Sequence, residues 1–154
     1  NLGAAFAHIN AVTAPTITDF KVMVLVEAAG QTLYDISAEG TDHVGVKALL
    51  KDNGVEEMKH ATRVAEVIKL LSGEDFPPPP REENPYLTGH IPVATLTPDG
   101  LRKTAEAEFN GDQLYAGWAA TITHPEAAAL LRQNGLEESD HGNRLLQAAA
   151  LLEA

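Results

Sequence analysis

The feature that most restricts the fold is an internal repeat. Shifting the chain along itself by 81 positions lays Glu27-Ala-Ala-Gly-Gln-Thr-Leu-Tyr34 on Glu108-Phe-Asn-Gly-Asp-Gln-Leu-Tyr115. The register continues without a gap, placing His43 on His124, Ala48-Leu49-Leu50 on Ala129-Leu130-Leu131, Asn53-Gly54 on Asn134-Gly135 and Arg63 on Arg144. Glu56-Glu57-x-x-His60 falls on Glu137-Glu138-x-x-His141. A self-match of this length means two copies of one supersecondary unit packed together. Each copy carries a Glu followed 30 residues later by Glu-x-x-His, so the pair brings four carboxylates and two imidazoles.

Local signals make each copy a pair of helices. Phe20, Val24, Glu27, Gln31 and Tyr34 recur at helical spacing behind N-cap candidates Thr16 and Thr18, predicting a helix over about 17–38. Gly40-Thr41-Asp42 supplies a stop and a new cap, and a second helix is expected over about 43–71, with Asn53-Gly54 as a weak point inside it. Thr97-Pro98-Asp99 opens a third over about 98–120, and Thr123-His124-Pro125-Glu126 reads as a capping box for a fourth over about 124–150. Between the pairs, residues 72–97 hold Gly73, Pro77 to Pro80, Pro85, Gly89 and Pro92, which excludes a helix. A segment of that length can run from one end of a helix of about 25 residues to the other, so it is read as a crossover. Residues 1–15 are expected as a short helix or a loose arm. The expected class is all-α: one domain over 1–154, an antiparallel four-helix bundle of two helical hairpins related by a pseudo-two-fold axis.

Composition narrows the chemistry. With no cysteine, disulfides, iron–sulfur centres and thiol catalysis are excluded, and a metal has only oxygen and nitrogen ligands to choose from. A net charge of −11 with only 11 Lys and Arg argues against nucleic acid. No apolar run reaches the roughly 18 residues of a membrane span, and the first residues lack the basic flank of a secretory signal, so the expected location is the cytoplasm.

Residues three apart share a helix face, so Glu57 with His60, and Glu138 with His141, each present an oxygen and a nitrogen in one direction. With 14 Glu and 6 His in 154 residues, chance gives roughly half an occurrence of Glu-x-x-His, so a single match carries little weight. Two matches at equivalent places in a repeat, each preceded at the same distance by a Glu on an otherwise apolar stripe, carry much more. Buried ionised carboxylates such as Glu27 and Glu108 require cations, and mixed carboxylate and imidazole ligands suit iron and manganese. Tyr34 and Tyr115, two turns beyond those Glu residues, can lean back to hydrogen-bond a carboxylate. Arg63 and Arg144 are expected to pair with acids across the bundle, His43 and His124 to cap or pack helix ends, and Trp118 to fill the core or a dimer interface. Glu56 and Glu137, about 100° around the helix from a ligand, are expected to face outward.

On these residues the chain resembles the ferritin-like di-iron carboxylate superfamily over nearly its whole length. The resemblance implies Glu27 and Glu108 as terminal carboxylates, Glu57 and Glu138 as bridging ones, and His60 and His141 as one nitrogen ligand per metal. The set is closer to rubrerythrin and bacterioferritin than to ferritin. Two features differ: rubrerythrins carry a further Glu where this chain has Gly111, and no rubredoxin-type segment with its cysteines is present. The resemblance implies two iron ions, with manganese, a mixed pair or adventitious zinc also fitting the ligands. It further implies an oxidoreductase acting on dioxygen or peroxide with a separate electron donor, as a homodimer, with Tyr34 and Tyr115 assisting. Iron storage is the second expectation, weakened by the sequence ending at Ala154 soon after the fourth helix. A metal-free interaction module is the third.

Overall fold

The computed structural model describes all residues, Asn1 to Ala154, and contains five α-helices and no strand. They are α1 (Leu2–Ala11), α2 (Ile17–Ala38), α3 (Val44–Ser72), α4 (Pro98–Ala120) and α5 (Pro125–Glu153). No helix is long and apolar enough to cross a membrane.

The helix starts follow from local chemistry. Thr16 accepts a hydrogen bond from the Asp19 amide at 3.3 Å, while Asp19 accepts one from the Thr16 amide at 2.8 Å, so α2 opens with a reciprocal cap. Thr97 accepts from the Gly100 amide, with Pro98 pre-set at the first helical position of α4. At α3 and α5 the histidines expected to cap or pack the helix ends are themselves the caps. His43 and His124, rather than Thr41, Asp42 or Thr123, accept through Nδ1 from the Val46 and Ala127 amides, both at 3.2 Å. In a neutral imidazole Nδ1 has a free lone pair at the same reach from the backbone as the side-chain oxygen of Asn, a preferred cap. At its other end α3 stops at Gly73, whose φ of 76° is the left-handed conformation that ends helices.

Helix α2 packs on α3, α4 on α5, and α3 on α5. Asn53-Gly54 does not loosen α3; the helix is continuous through it. A Cβ on Gly54 would lie 3.2 Å from Tyr34 Cβ and 3.3 Å from the Gln31 carbonyl oxygen, so glycine lets α2 approach there. Asn53 reaches the other way, its amide donating to the His141 carbonyl at 3.3 Å, and Asn134 donates in turn to the His60 carbonyl at 3.1 Å. The repeated Asn-Gly pairs are therefore joints between helices.

Residues 73–97 contain two single 3₁₀ turns, Arg81–Glu83 and Pro85–Leu87. The crossover lies along α2. It starts with Phe76 beneath Lys21, is tied at its middle by Asn84 donating to the Leu25 carbonyl, and finishes with the Leu96 amide on the Gly40 carbonyl. Only glycine fits at position 40, because an added Cβ would sit 2.0 Å from the Ala94 carbonyl oxygen.

Apolar burial divides into two clusters. The larger includes Phe20, Val24, Val64, Val67, Trp118 and Leu131; the smaller includes Ala38, Leu50, Leu101 and Leu145. Along each of α2, α3 and α5 the change from one cluster to the other spans buried Glu, Asn or His residues. Trp118 belongs to the core, 1% exposed, edge-on to Phe20, with its indole N–H on the Val12 carbonyl at 3.0 Å. That bond ties the end of α4 to the segment after α1, which packs on α2 through Ala5 and Ile9.

Candidate metal centre

Where the two clusters meet, Glu57, His60, Glu138 and His141 each offer a ligand atom, all within 4.8 Å of one another, and all four residues are buried. They come from α3 and α5, which face each other through the two imidazoles. The rings stack with centroids 5.0 Å apart and 16° between planes. The outer helices add the remaining carboxylates predicted from sequence. Glu27 of α2 reaches His60 Nδ1 at 2.9 Å, and Glu108 of α4 lies 3.5 Å from His141 Nδ1. Across the pair, Glu138 stands 2.8 Å from His60 Nδ1 and Glu57 stands 3.0 Å from His141 Nδ1. Both imidazoles thus present Nδ1 to a common carboxylate-lined pocket.

Their far nitrogens reveal residues that the sequence reading misplaced. Glu56 and Glu137 do not face outward. Glu137 is buried and 3.1 Å from His60 Nε2, and Glu56 is 3.2 Å from His141 Nε2. Each of these helices is flanked by partners on two sides, so a turn of about 100° from the pocket points at the neighbouring helix instead of water. Arg63 donates to Glu137 at 2.7 Å and to Asn134 at 3.2 Å; Arg144 donates to Glu56 and to Asn53. Each imidazole is therefore backed by a carboxylate that is itself held by an arginine, the arrangement that fixes the ring and its tautomer in metal sites. The signal was present in the repeat, where Glu56, Arg63 and Asn53 recur with the ligands.

Two glycines make room for the inner carboxylates. A Cβ on Gly30 would lie 2.5 Å from Glu57 Oε2, and one on Gly111 would lie 2.8 Å from Glu138 Oε2. The carboxylates of Glu57 and Glu138 occupy the space that any other residue's side chain would fill. Gly111 thus has a positive role at the place where rubrerythrins have a glutamate.

Tyr34 donates its hydroxyl to Glu108 at 2.7 Å. Tyr115, its equivalent, is 1% exposed, and its hydroxyl has no partner. Glu108 Oε2, Glu138 Oε1 and His141 Nδ1 are likewise buried without a hydrogen bond. Unsatisfied buried polar atoms cost about 1–3 kcal/mol each, and more when charged.

The electrostatics have the same origin. Burial, followed by the nearby charge of Glu108, pushes Glu27 up to about 8; burial and the charge of Glu27 push Glu57 up to about 8. Burial and the charges of Glu27 and Glu108 hold Glu138 well above the usual carboxylate range. For His141, burial acts downward but is outweighed by Glu108 and Glu57, which raise it to about 10. His60 is lowered, chiefly by burial. At Glu137 the upward pull of burial is overcome by Arg63 and Gln133, and its carboxyl falls to about 2. Crowded carboxylates that keep protons for want of positive charge, with lone pairs aimed at one pocket, fit a cation. The group can hold a metal ion, and its oxygen and nitrogen atoms suit first-row metals.

The chain matches no protein-family description, no curated protein and no solved structure.

Proposed function

We propose that this chain is a ferritin-like di-iron carboxylate protein, an oxidoreductase of the ferroxidase or peroxidase type acting on dioxygen or hydrogen peroxide. On this reading α2 to α5 form an antiparallel four-helix bundle within one domain of 154 residues. Glu27, Glu57, His60, Glu108, Glu138 and His141 would then hold the two ions. The observation that carries the reading is the convergence of four carboxylates and two imidazole Nδ1 atoms, from four helices, on one buried pocket.

Bound iron would supply the one-electron steps that reduction of dioxygen or peroxide needs. The chain's own groups have separate tasks. Glu137 and Glu56, by accepting at Nε2, keep a proton there, so that Nδ1 is the nitrogen available for a ligand role, in His141 after release of the second proton it holds up to about 10. Tyr34 holds Glu108 in position through its hydroxyl. Glu27 and Glu57 carry protons that metal uptake displaces. A separate electron donor is required, and Val55 and Leu136, exposed apolar residues at equivalent places in the repeat, are a candidate surface for a second copy in a homodimer.

Anaerobic Fe(II) titration tests the reading, with saturation at two ions per chain expected and uptake of dioxygen or peroxide afterwards. Iron storage, which the acidic surface would also serve, would instead show continued uptake far beyond two ions once oxygen is admitted. A metal-free module would bind none.

A further inference from the structure

Helix α2 packs on α3, α4 on α5 and α3 on α5, and between α2 and α4 a cleft of about 590 Å³ leads inward. Its outer wall is exposed: Lys103, Thr104, Ala107 and Asn110 of α4, with Phe6 of α1, meet solvent. Its floor is the four carboxylates Glu27, Glu57, Glu108 and Glu138, one from each of α2 to α5. Neither imidazole reaches the lining. The way in from behind the histidines is shut, since the two rings stack with 0% exposure and their far nitrogens meet Glu137 and Glu56, each held by an arginine.

Two half-exposed glycines bring the floor to the surface of the cleft. Gly30 and Gly111 line it, and the positions a Cβ would take there lie 2.5 Å from Glu57 Oε2 and 2.8 Å from Glu138 Oε2, so no side chain at either place covers these oxygens. Gly30 and Gly111 are equivalent in the repeat, as are Leu33 and Leu114, and Val26 and Ala107, so both halves open on the same cleft. A cleft that ends in carboxylates, in a chain of net charge −11, draws cations inward. Lys103 is the one cationic side chain on the lining, and from its exposed place at the mouth it opposes that pull. We propose that this cleft is the loading route of the metal centre, with the carboxylates as the first groups a divalent cation meets, the imidazoles as the last, and Lys103 as a brake on entry. Such a route presupposes the metal-binding part of the reading above, not the number of ions or the reaction.

The test is stopped-flow uptake of Co(II) by the metal-free full chain, with release to excess EDTA followed separately. Ala107→Trp puts an indole into the cleft from an exposed position on α4. It should slow uptake and release alike by at least about tenfold while final Co(II) content and affinity stay at the wild-type values, because a narrowed route changes both rates and not their ratio. Leu33→Trp makes the same comparison from α2 should the first variant misfold. Lys103→Glu should speed uptake by about threefold at low ionic strength, and the gain should vanish in high salt. Unchanged rates in both tryptophan variants, at full metal content, would overturn the route and leave the metal centre standing. So would a loss of content in step with the rate in both, since the indole would then be disturbing the ligands. An uptake rate unmoved by Lys103→Glu would remove the brake. Saturation at one Co(II) per chain would sink the di-iron reading and leave the route intact, whereas no binding would remove both.

Discussion

In one half of the repeat a tyrosine is tied down, and in the other it is not. Tyr34 donates a hydrogen bond to Glu108, whereas Tyr115, at the equivalent position, has a buried hydroxyl without a partner. The imidazoles differ too. Glu137, behind His60, accepts from both Arg63 and Gln133, but Glu56, behind His141, has only Arg144, because position 52 in the first copy is an aspartate where the second has Gln133. Packing is also redistributed. Ala28 and Ala61 in one half become Phe109 and Gly142 in the other, and the Phe109 ring occupies the space a Cβ on Gly142 would need. The difference teaches that one ligand pattern can be written twice while its surroundings make the two positions unequal.

The comparison can be broken most directly at the nitrogens. His60→Ala and His141→Ala should each lower metal affinity more than about 100-fold, beyond the effect of losing a supporting residue. Co(II) titration followed by visible absorbance would read this, and identical residual spectra from the two variants would mean that the halves are equivalent after all.

Proton release comes next in size. In the metal-free protein Glu27 and Glu57 sit near 8 against an ordinary 4.5, so protonation stabilises the fold fully below 4.5 and that contribution fades as the pH climbs through 8. Metal ions compete with those protons. Affinity should therefore rise at least about tenfold between pH 6 and pH 7 and keep rising above 8, because His141, raised to about 10, also gives up a proton. Glu108, already lowered in spite of burial by the nearness of Glu138 and His141 and by the Tyr34 hydroxyl, should release none. Calorimetry in buffers of different ionisation enthalpy counts the protons, and a count of zero would remove the electrostatic contrast.

Glu137→Ala should cost about 10- to 100-fold in metal affinity, with Glu56→Ala at the lower end of that range because Glu56 has fewer partners. Equilibrium dialysis against zinc ranks them, and the reverse order would refute the argument from Gln133. Gly54→Ala and Gly135→Ala should each destabilise by about 1–3 kcal/mol in urea unfolding, nearly alike, since each glycine meets a tyrosine Cβ on the adjacent helix. The smallest effect separates the tyrosines. Tyr34→Phe should cost about 1 kcal/mol of metal-free stability, whereas Tyr115→Phe, which removes a buried hydroxyl without a partner, should leave it unchanged or raise it, by the same urea assay.

Much of this was legible beforehand, for a physical reason. Helical periodicity, proline and glycine placement and the 81-residue shift all act along the chain, so the helices, the crossover and the six charged or imidazole groups could be read in order. What escaped notice depends on two neighbours at once. The angle of Glu56 and Glu137 to a single partner helix points them outward, and the helix propensity of Asn53-Gly54 marks a weak point. Only the packed structure shows α3 and α5 pressed together so that both errors become contacts.

The paired asparagines of α3 and α5 have a mechanical consequence. Each grips the main chain of the histidine on the other helix, so sliding one helix along the other by a single turn would release both grips and separate both imidazoles from their supports in the same movement. The inner pair acts as a ratchet locked at one tooth. The large changes in side-chain size between the two copies fall on the outer helices, where Ala28 stands against Phe109 and Ser37 against Trp118.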